Sequence, residues 1–222
     1  MTMTRRATEH RRGPLRSRTL WAAIVAAGVL GVGCDDDSPF GISLSPADQE
    51  PAGYTDPAAL LAAHEKALEQ QDYDLYEKLL HADFEYFPRS EDLIDFPWLQ
   101  GQISWARTDE LQMIRNMFDD NFQSSDPYAA TVDWIDAVIS ITGQQTLQDG
   151  TRVVLTQAVM TVMYMYPSGS GARADVRFEF RLVTGTDGFL RIRSIRELPP
   201  YQRAVESQSW ARVKSLYRDE VL

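Results

Sequence analysis

Few side chains in this 222-residue sequence are of types that do chemistry near neutral pH: three histidines, one cysteine, and scattered tyrosines and carboxylates. His64 comes first, because imidazole can give and take a proton near neutrality. It lies on a stripe with Leu60, Leu61, Ala67 and Leu68 in ALLAAHEKALEQQ, so it reads either as a pocket acid/base or as a packed core histidine. Tyr86 is a candidate to share a pocket with it. His81 and Asp83 have the spacing of a dyad, but HADF reads more simply as a helix end, where the helix dipole favours a histidine. Gln157 stands between Leu155 and Val159 on a strand face that otherwise looks like core. A buried amide without partners costs about 1 to 3 kcal/mol, so Gln157 either lines a pocket or sits at a sheet end or bulge.

The remaining chemistry-bearing residue is Cys34. A single cysteine forms no internal disulfide, and structural metal sites need several ligands. The acidic runs DDD and DDNF lack the glycine turn and spaced ligands of an EF-hand. The sequence has no glycine-rich phosphate loop, no GxSxG and no Cys/His pair. No metal or cofactor is expected, and no residue is assigned a catalytic role.

These residues must be held by elements that the patterning defines. In TDPAALLAAHEKALEQQ, Asp56 is a fitting N-cap and Pro57 a fitting first helical residue, which predicts an amphipathic helix carrying His64. A second helix is expected in DYDLYEKLLH, with Tyr76, Leu79 and Leu80 inward, followed by a strand in which Phe84 and Tyr86 alternate. Thr108 is expected to cap a third helix bearing Leu111, Ile114 and Phe118. After Pro127 the period changes to two. Turn signals at 148–150, 167–171 and 185–188 then divide the chain into a four-strand meander. In ADVRFEFRLV, Val176, Phe178, Phe180 and Leu182 face one way and Asp175, Arg177, Glu179 and Arg181 the other. RVVLTQAVMTVMYMY is apolar on both faces and calls for a second cover. In the tail, SQSWARVKSLYRD predicts a short helix with Trp210, Val213, Leu216 and Tyr217 as its apolar residues and Arg212, Lys214 and Arg218 as its basic ones. Such a helix packs back on the domain or lies on a membrane surface, and its acidic end, Asp219-Glu220, argues against the membrane.

The N-terminal region has a different character. Arg5, Arg6, Arg11, Arg12, Arg16 and Arg18 face one acid, Glu9, and thirteen uncharged residues follow from Leu20 to Val32. That run is shorter than the roughly 20 residues of a membrane span and fits the apolar core of a secretory signal. Gly31-Val32-Gly33-Cys34 then resembles the lipobox of bacterial lipoproteins. The resemblance implies that Cys34 is lipidated and becomes the new N-terminus, in the bacterial envelope facing the periplasm or the exterior. The acids at Asp35 and Asp36 resemble a signal for retention in the inner membrane. An ordinary secretory signal cut near Gly33 is the alternative.

Loss of the leader takes six of the 22 basic and one of the 32 acidic residues, leaving 16 against 31 and a formal charge of −15. Such a surface repels nucleic acid and anionic headgroups, so membrane attachment has to come from acyl chains. Residues 34–53 are acidic, then rich in Pro, Ser and Gly, and read as a tether. A single domain is expected over 54–199, with a tail over 200–222.

Two or three helices, a short strand and a long meander resemble the nuclear-transport-factor-2-like (SnoaL-like) fold. The resemblance is carried by ALEQQDYDLYEKLLHADFEYF and by GFLRIRSIRELPP. It implies an α+β domain in which N-terminal helices pack on a curved antiparallel sheet to form a cone with a pocket, and it implies a homodimer on the convex face. Because that fold hosts enzymes and non-catalytic modules alike, it does not decide function. Three readings remain open: a membrane-anchored, non-catalytic domain binding a small ligand or a protein; a dehydratase or isomerase using His64 with a tyrosine or aspartate; and a dimeric scaffold without a pocket. An open cone where His64 meets an acid marks the enzyme, and a filled cone the scaffold.

Overall fold

The computed structural model describes residues 52–122, 131–164, 170–199 and 209–218, all within the unit Glu50–Leu222. Cys34, the leader and nearly all of the tether lie outside the described residues, as does most of the 167–171 turn. Asp56 is extended and its carboxylate accepts the Ala59 N–H at 2.9 Å, and Pro57 occupies the first helical position, so α1 runs Pro57–Glu69. Asp72 starts α2 (Tyr73–Leu79) in the same way, accepting the Leu75 N–H at 2.9 Å. The chain passes directly into β1 (Leu80–Phe87), with Phe84 and Tyr86 buried as the alternation predicts. Leu80, expected in the helix, is the first residue of this strand and is buried there. His81 is therefore a strand residue two places beyond the helix, and its Nδ1 accepts the Asp83 N–H.

Two 3-10 turns, Ser90–Asp95 and Pro97–Leu99, lead to β2 (Trp105–Ala106) and α3 (Arg107–Met117). The expected Thr108 cap is not made. Ala106 stands at the N-cap without a side-chain hydrogen bond, and Thr108 is already inside the helix. The start of α3 is set by β2, which pairs with β1 through Glu85–Ala106 and Tyr86–Trp105. The meander follows as β3 (Val132–Thr146), β4 (Arg152–Tyr164), β5 (Gly171–Thr184) and β6 (Leu190–Leu198), and α4 (Trp210–Ser215) closes the described chain.

Helices and sheet make an α+β domain with the expected order of helices, short strand and meander. The strand order is β2-β1-β6-β5-β4-β3. The meander is antiparallel as expected, but β1 runs parallel to β6, so the sheet is mixed. No hairpin joins those two strands. The long crossover that a parallel pair needs is supplied by everything between them. Register shifts between Ile141 and Gly143, and opposite Arg181 and Leu182, mark irregularities of the kind that bend strands.

On β5, Val176, Phe178, Phe180 and Leu182 are buried, while Arg181 is exposed and Asp175, Arg177 and Glu179 are half-buried, in agreement with the alternation. The apolar character of β4 on both faces resolves unequally. Val154, Ala158, Met160 and Val162 face the core, whereas Leu155, Val159 and Met163 are half-buried on the outer face. Gln157 belongs to that outer face, exposed between Ser140 and Arg177, so it lines no interior pocket. Its neighbours on the face are only partly covered, and an exposed amide there needs no buried partner.

Candidate functional site

The apolar interior holds an unusual concentration of charge. Glu110 on α3 and Lys214 on α4 are both fully buried, 0% exposed. The Lys214 ammonium donates to both Glu110 oxygens, at 2.7 and 2.8 Å. The same carboxylate accepts the Tyr76 hydroxyl at 2.6 Å and the Trp105 indole N–H at 2.7 Å, so each of its oxygens takes two donors. Around the ammonium stand two stacked rings, Tyr86 and Trp105, with centroids 4.4 Å apart and planes 11° from parallel. Lys214 Nζ lies 3.3 Å from the Tyr86 centroid and 5.1 Å from that of Trp105. A cation over aromatic faces away from water gains on the order of 2 kcal/mol.

A second carboxylate, Glu197 on β6, accepts the Tyr86 hydroxyl in a short hydrogen bond and the Ala211 N–H of α4 at 2.6 Å. Its other oxygen is 3.6 Å from Arg89 Nε. Arg89 in turn holds the buried Asp92 at 3.0 Å, and Asp92 is 3.1 Å from Arg212 Nε on α4. Arg212 also pairs with Asp95. Helix α4 is thus attached through charge at Glu110, Asp92 and Asp95, through its backbone at Glu197, and through the buried Trp210, Val213 and Tyr217. Asn116 donates to the Tyr217 carbonyl at 2.8 Å, and the Arg218 guanidinium lies 4.1 Å from the centre of the Trp98 ring. The tail helix packs on the domain and buries against it the apolar face that a membrane surface would have required.

Burial sets the proton affinities here. It lowers that of the Lys214 ammonium, and the nearby Glu110 and Glu197 carboxylates oppose the shift. It raises that of Glu197, against the effects of the Tyr86 hydroxyl, the Ala211 N–H, Lys214 and Arg89. Tyr76 and Tyr86 are pushed far above their usual range, first by burial and then by the adjoining carboxylates.

Of the residues singled out from the sequence, His64 and Tyr86 both face this interior. His64 packs against the rings of Tyr76 and Phe180 at 5.2 and 5.7 Å, and neither of its nitrogens has a hydrogen-bond partner. Burial, with the positive charge of Lys214 adding to it, lowers its pKa to about 3. The ring is therefore neutral at physiological pH and shares no proton with an acid. Glu110, Glu197, Lys214, Tyr76 and Trp105 were not singled out as site residues. Their signal was periodicity: Glu110 falls with Met113, Ile114 and Met117 at spacings of three, one and three, and Lys214 falls with Trp210, Val213 and Tyr217 in the same way. Among the described residues, no group of three metal-ligating side chains converges, and no helix is long and apolar enough to cross a membrane.

Neither a protein-family model nor a curated protein matches the chain. Among solved structures it is similar to ActVI-ORFA from Streptomyces coelicolor, with 12% identity, a TM-score of 0.43, and coverage of 64% of this chain and 92% of that one. It is similar to Aln2 from a Streptomyces species, with 14% identity, a TM-score of 0.42, and coverage of 63% and 85%. The Kfla4162 protein from Kribbella flavida gives 11% identity, a TM-score of 0.47, and coverage of 71% and 93%. At such identities only the course of the backbone is compared, and the chemistry has to be read from this chain's own side chains.

Proposed function

We propose that the protein is a non-catalytic binding domain, carried on the bacterial envelope by a lipid on Cys34 and closed at rest by its own C-terminal helix. The observation that carries this reading is the buried pair of Lys214 and Glu110. It engages Glu110, while the other interior carboxylate, Glu197, accepts from the Tyr86 hydroxyl and the Ala211 N–H, and His64 is held neutral without a hydrogen-bond partner. A general base has to reach its proton, and in this closed form none of the three does. The basic leader, the short apolar run and the small residues before Cys34 support the anchor, and the acidic surface leaves attachment to the acyl chains.

The test is native mass spectrometry of the full chain extracted from its membrane in mild detergent. The expected species begins at a diacylated or triacylated Cys34 and carries a small molecule that is released unchanged. An unlipidated protein without a bound molecule, or one that converts the molecule it releases, overturns the reading.

A homodimer is a second reading, favoured by the outer sheet face. Trp134 and Val138 on the edge strand β3 are 44% and 51% exposed, and they lie opposite the half-buried Met163 and Val159 of β4. Sedimentation of the wild type and Trp134→Arg checks it: a concentration-dependent dimer lost in the variant supports the interface, and monomers in both refute it.

A further inference from the structure

The group inside the ring of Tyr86, Trp105, Tyr76 and Glu110 is a primary ammonium on an unbranched alkyl chain, supplied by Lys214. Its surroundings are those of an amine receptor: a carboxylate touching the ammonium with both oxygens, two stacked aromatic rings under it, and burial of every one of these residues. This occupant comes from the six-residue helix α4, separated from β6 by residues 199–209 of the sequence. An ion pair that is fully buried is weak evidence for stability, because apolar residues of similar volume often do as well or better. The balance of charge also changes if α4 leaves. Lys214 and Arg212 depart with it, and Glu110, Glu197 and Asp92 then face the single guanidinium of Arg89. The socket left behind is anionic, and the mature chain around it is strongly acidic, which concentrates cations near it.

We propose that this socket is an alkylammonium-binding site, with Glu110 as the counter-charge and the Tyr86–Trp105 stack as its floor, and that Lys214 occupies it in cis until a ligand bearing an ammonium group displaces α4. This rests on the non-catalytic binding reading and gives it a ligand class. The unpartnered nitrogens of His64 line the same interior and offer a hydrogen bond to a longer ligand that reaches past Tyr76.

The truncation Lys214→Ala removes three methylenes and the ammonium, which together are n-propylamine, so n-propylammonium chloride is the probe. In the full-length Lys214→Ala protein it is expected to raise the melting temperature saturably, while n-propanol and sodium acetate do not, and Lys214→Ala/Glu110→Gln is expected to show no rise. In the wild type the probe binds only the open form. It then multiplies the open population by 1 + [L]/Kd however rare that form is. At 50 mM probe and a Kd of about 1 mM, amide exchange over 210–217 should accelerate by roughly fifty-fold, with β5 unchanged. Rescue by propanol as large as by propylammonium, rescue that survives Glu110→Gln, or unaltered exchange at α4 overturns the inference. If Lys214→Ala does not fold, the wild-type exchange experiment decides alone. Failure here with a different molecule bound in the native mass spectrum leaves the binding-domain reading standing, whereas an empty, unlipidated protein ends that reading whatever the amine does.

Discussion

Replacing Lys214 by Met keeps most of the unbranched stem and removes only the charge, so packing loss is small and the electrostatic consequence is isolated. Both partners are 0% exposed, and water therefore cannot take over the Glu110 carboxylate that the change strands. Leaving one member of a buried pair uncompensated costs about 3 to 5 kcal/mol, a large part of the roughly 5 to 15 kcal/mol that holds a domain together. Glu110→Gln added to Lys214→Met removes the stranded charge. The amide oxygen still accepts from Tyr76 or Trp105, and the donor left over costs on the order of 1 kcal/mol. The double variant is thus expected to be more stable than Lys214→Met alone, by at least about 1 kcal/mol. Urea unfolding at pH 7, followed by tryptophan fluorescence, measures both. A loss under about 1 kcal/mol for Lys214→Met, or a double variant losing the sum of the two singles, refutes the buried pair.

Three further outcomes follow from the same physical reasoning. His64 has a folded pKa near 3 against about 6.5 unfolded. The unfolded chain alone takes up its proton below about pH 6.5, so wild-type stability should fall relative to His64→Leu by up to about 1.4 kcal/mol per pH unit there. Parallel stability curves for the two proteins between pH 7 and 5 would show that His64 is protonated in the fold. Glu197, raised by burial, acts with the opposite sign, losing stabilisation as pH climbs from its unfolded value, and the comparison with His64→Leu cancels that contribution. On β5, Phe178→Ala should cost about 3 to 5 kcal/mol and Arg177→Ala under about 1 in chemical denaturation; equal losses contradict the assigned faces. Cys34→Ser should move the protein out of the membrane fraction or block its processing, and a variant still processed and membrane-bound excludes the lipid anchor.

Much of the fold was legible because its signals are local. Asp56 and Pro57 announce α1, Phe84 and Tyr86 announce β1, and strict alternation from Val176 to Leu182 sets the faces of β5. The parallel pairing of β1 with β6 was not legible, since nothing local in either strand records which distant strand will lie beside it. Thr108 misled because a hydroxyl before an apolar run is a cap only where the chain is free to start a helix, and here β2 fixes the start two residues earlier. The interior site was hidden by the assumption that charges point to water. Glu110 and Lys214 occupy the apolar stripes of their helices, but each is acceptable there only because of the other, 104 residues away. Gln157 was the converse error: a polar residue among apolar neighbours looked buried, yet those neighbours belong to the outer face.

The most direct test of the closed interior is heteronuclear NMR of the lysine side chains at pH 7, simple here because the chain has only Lys66, Lys78 and Lys214. The account predicts one ammonium whose protons exchange slowly with water and whose Hε resonances are displaced by the ring current of Tyr86, 3.3 Å below it. Three ammonium groups with ordinary shifts and fast exchange would contradict it, because Lys214 would then lie in water and the interior would be open.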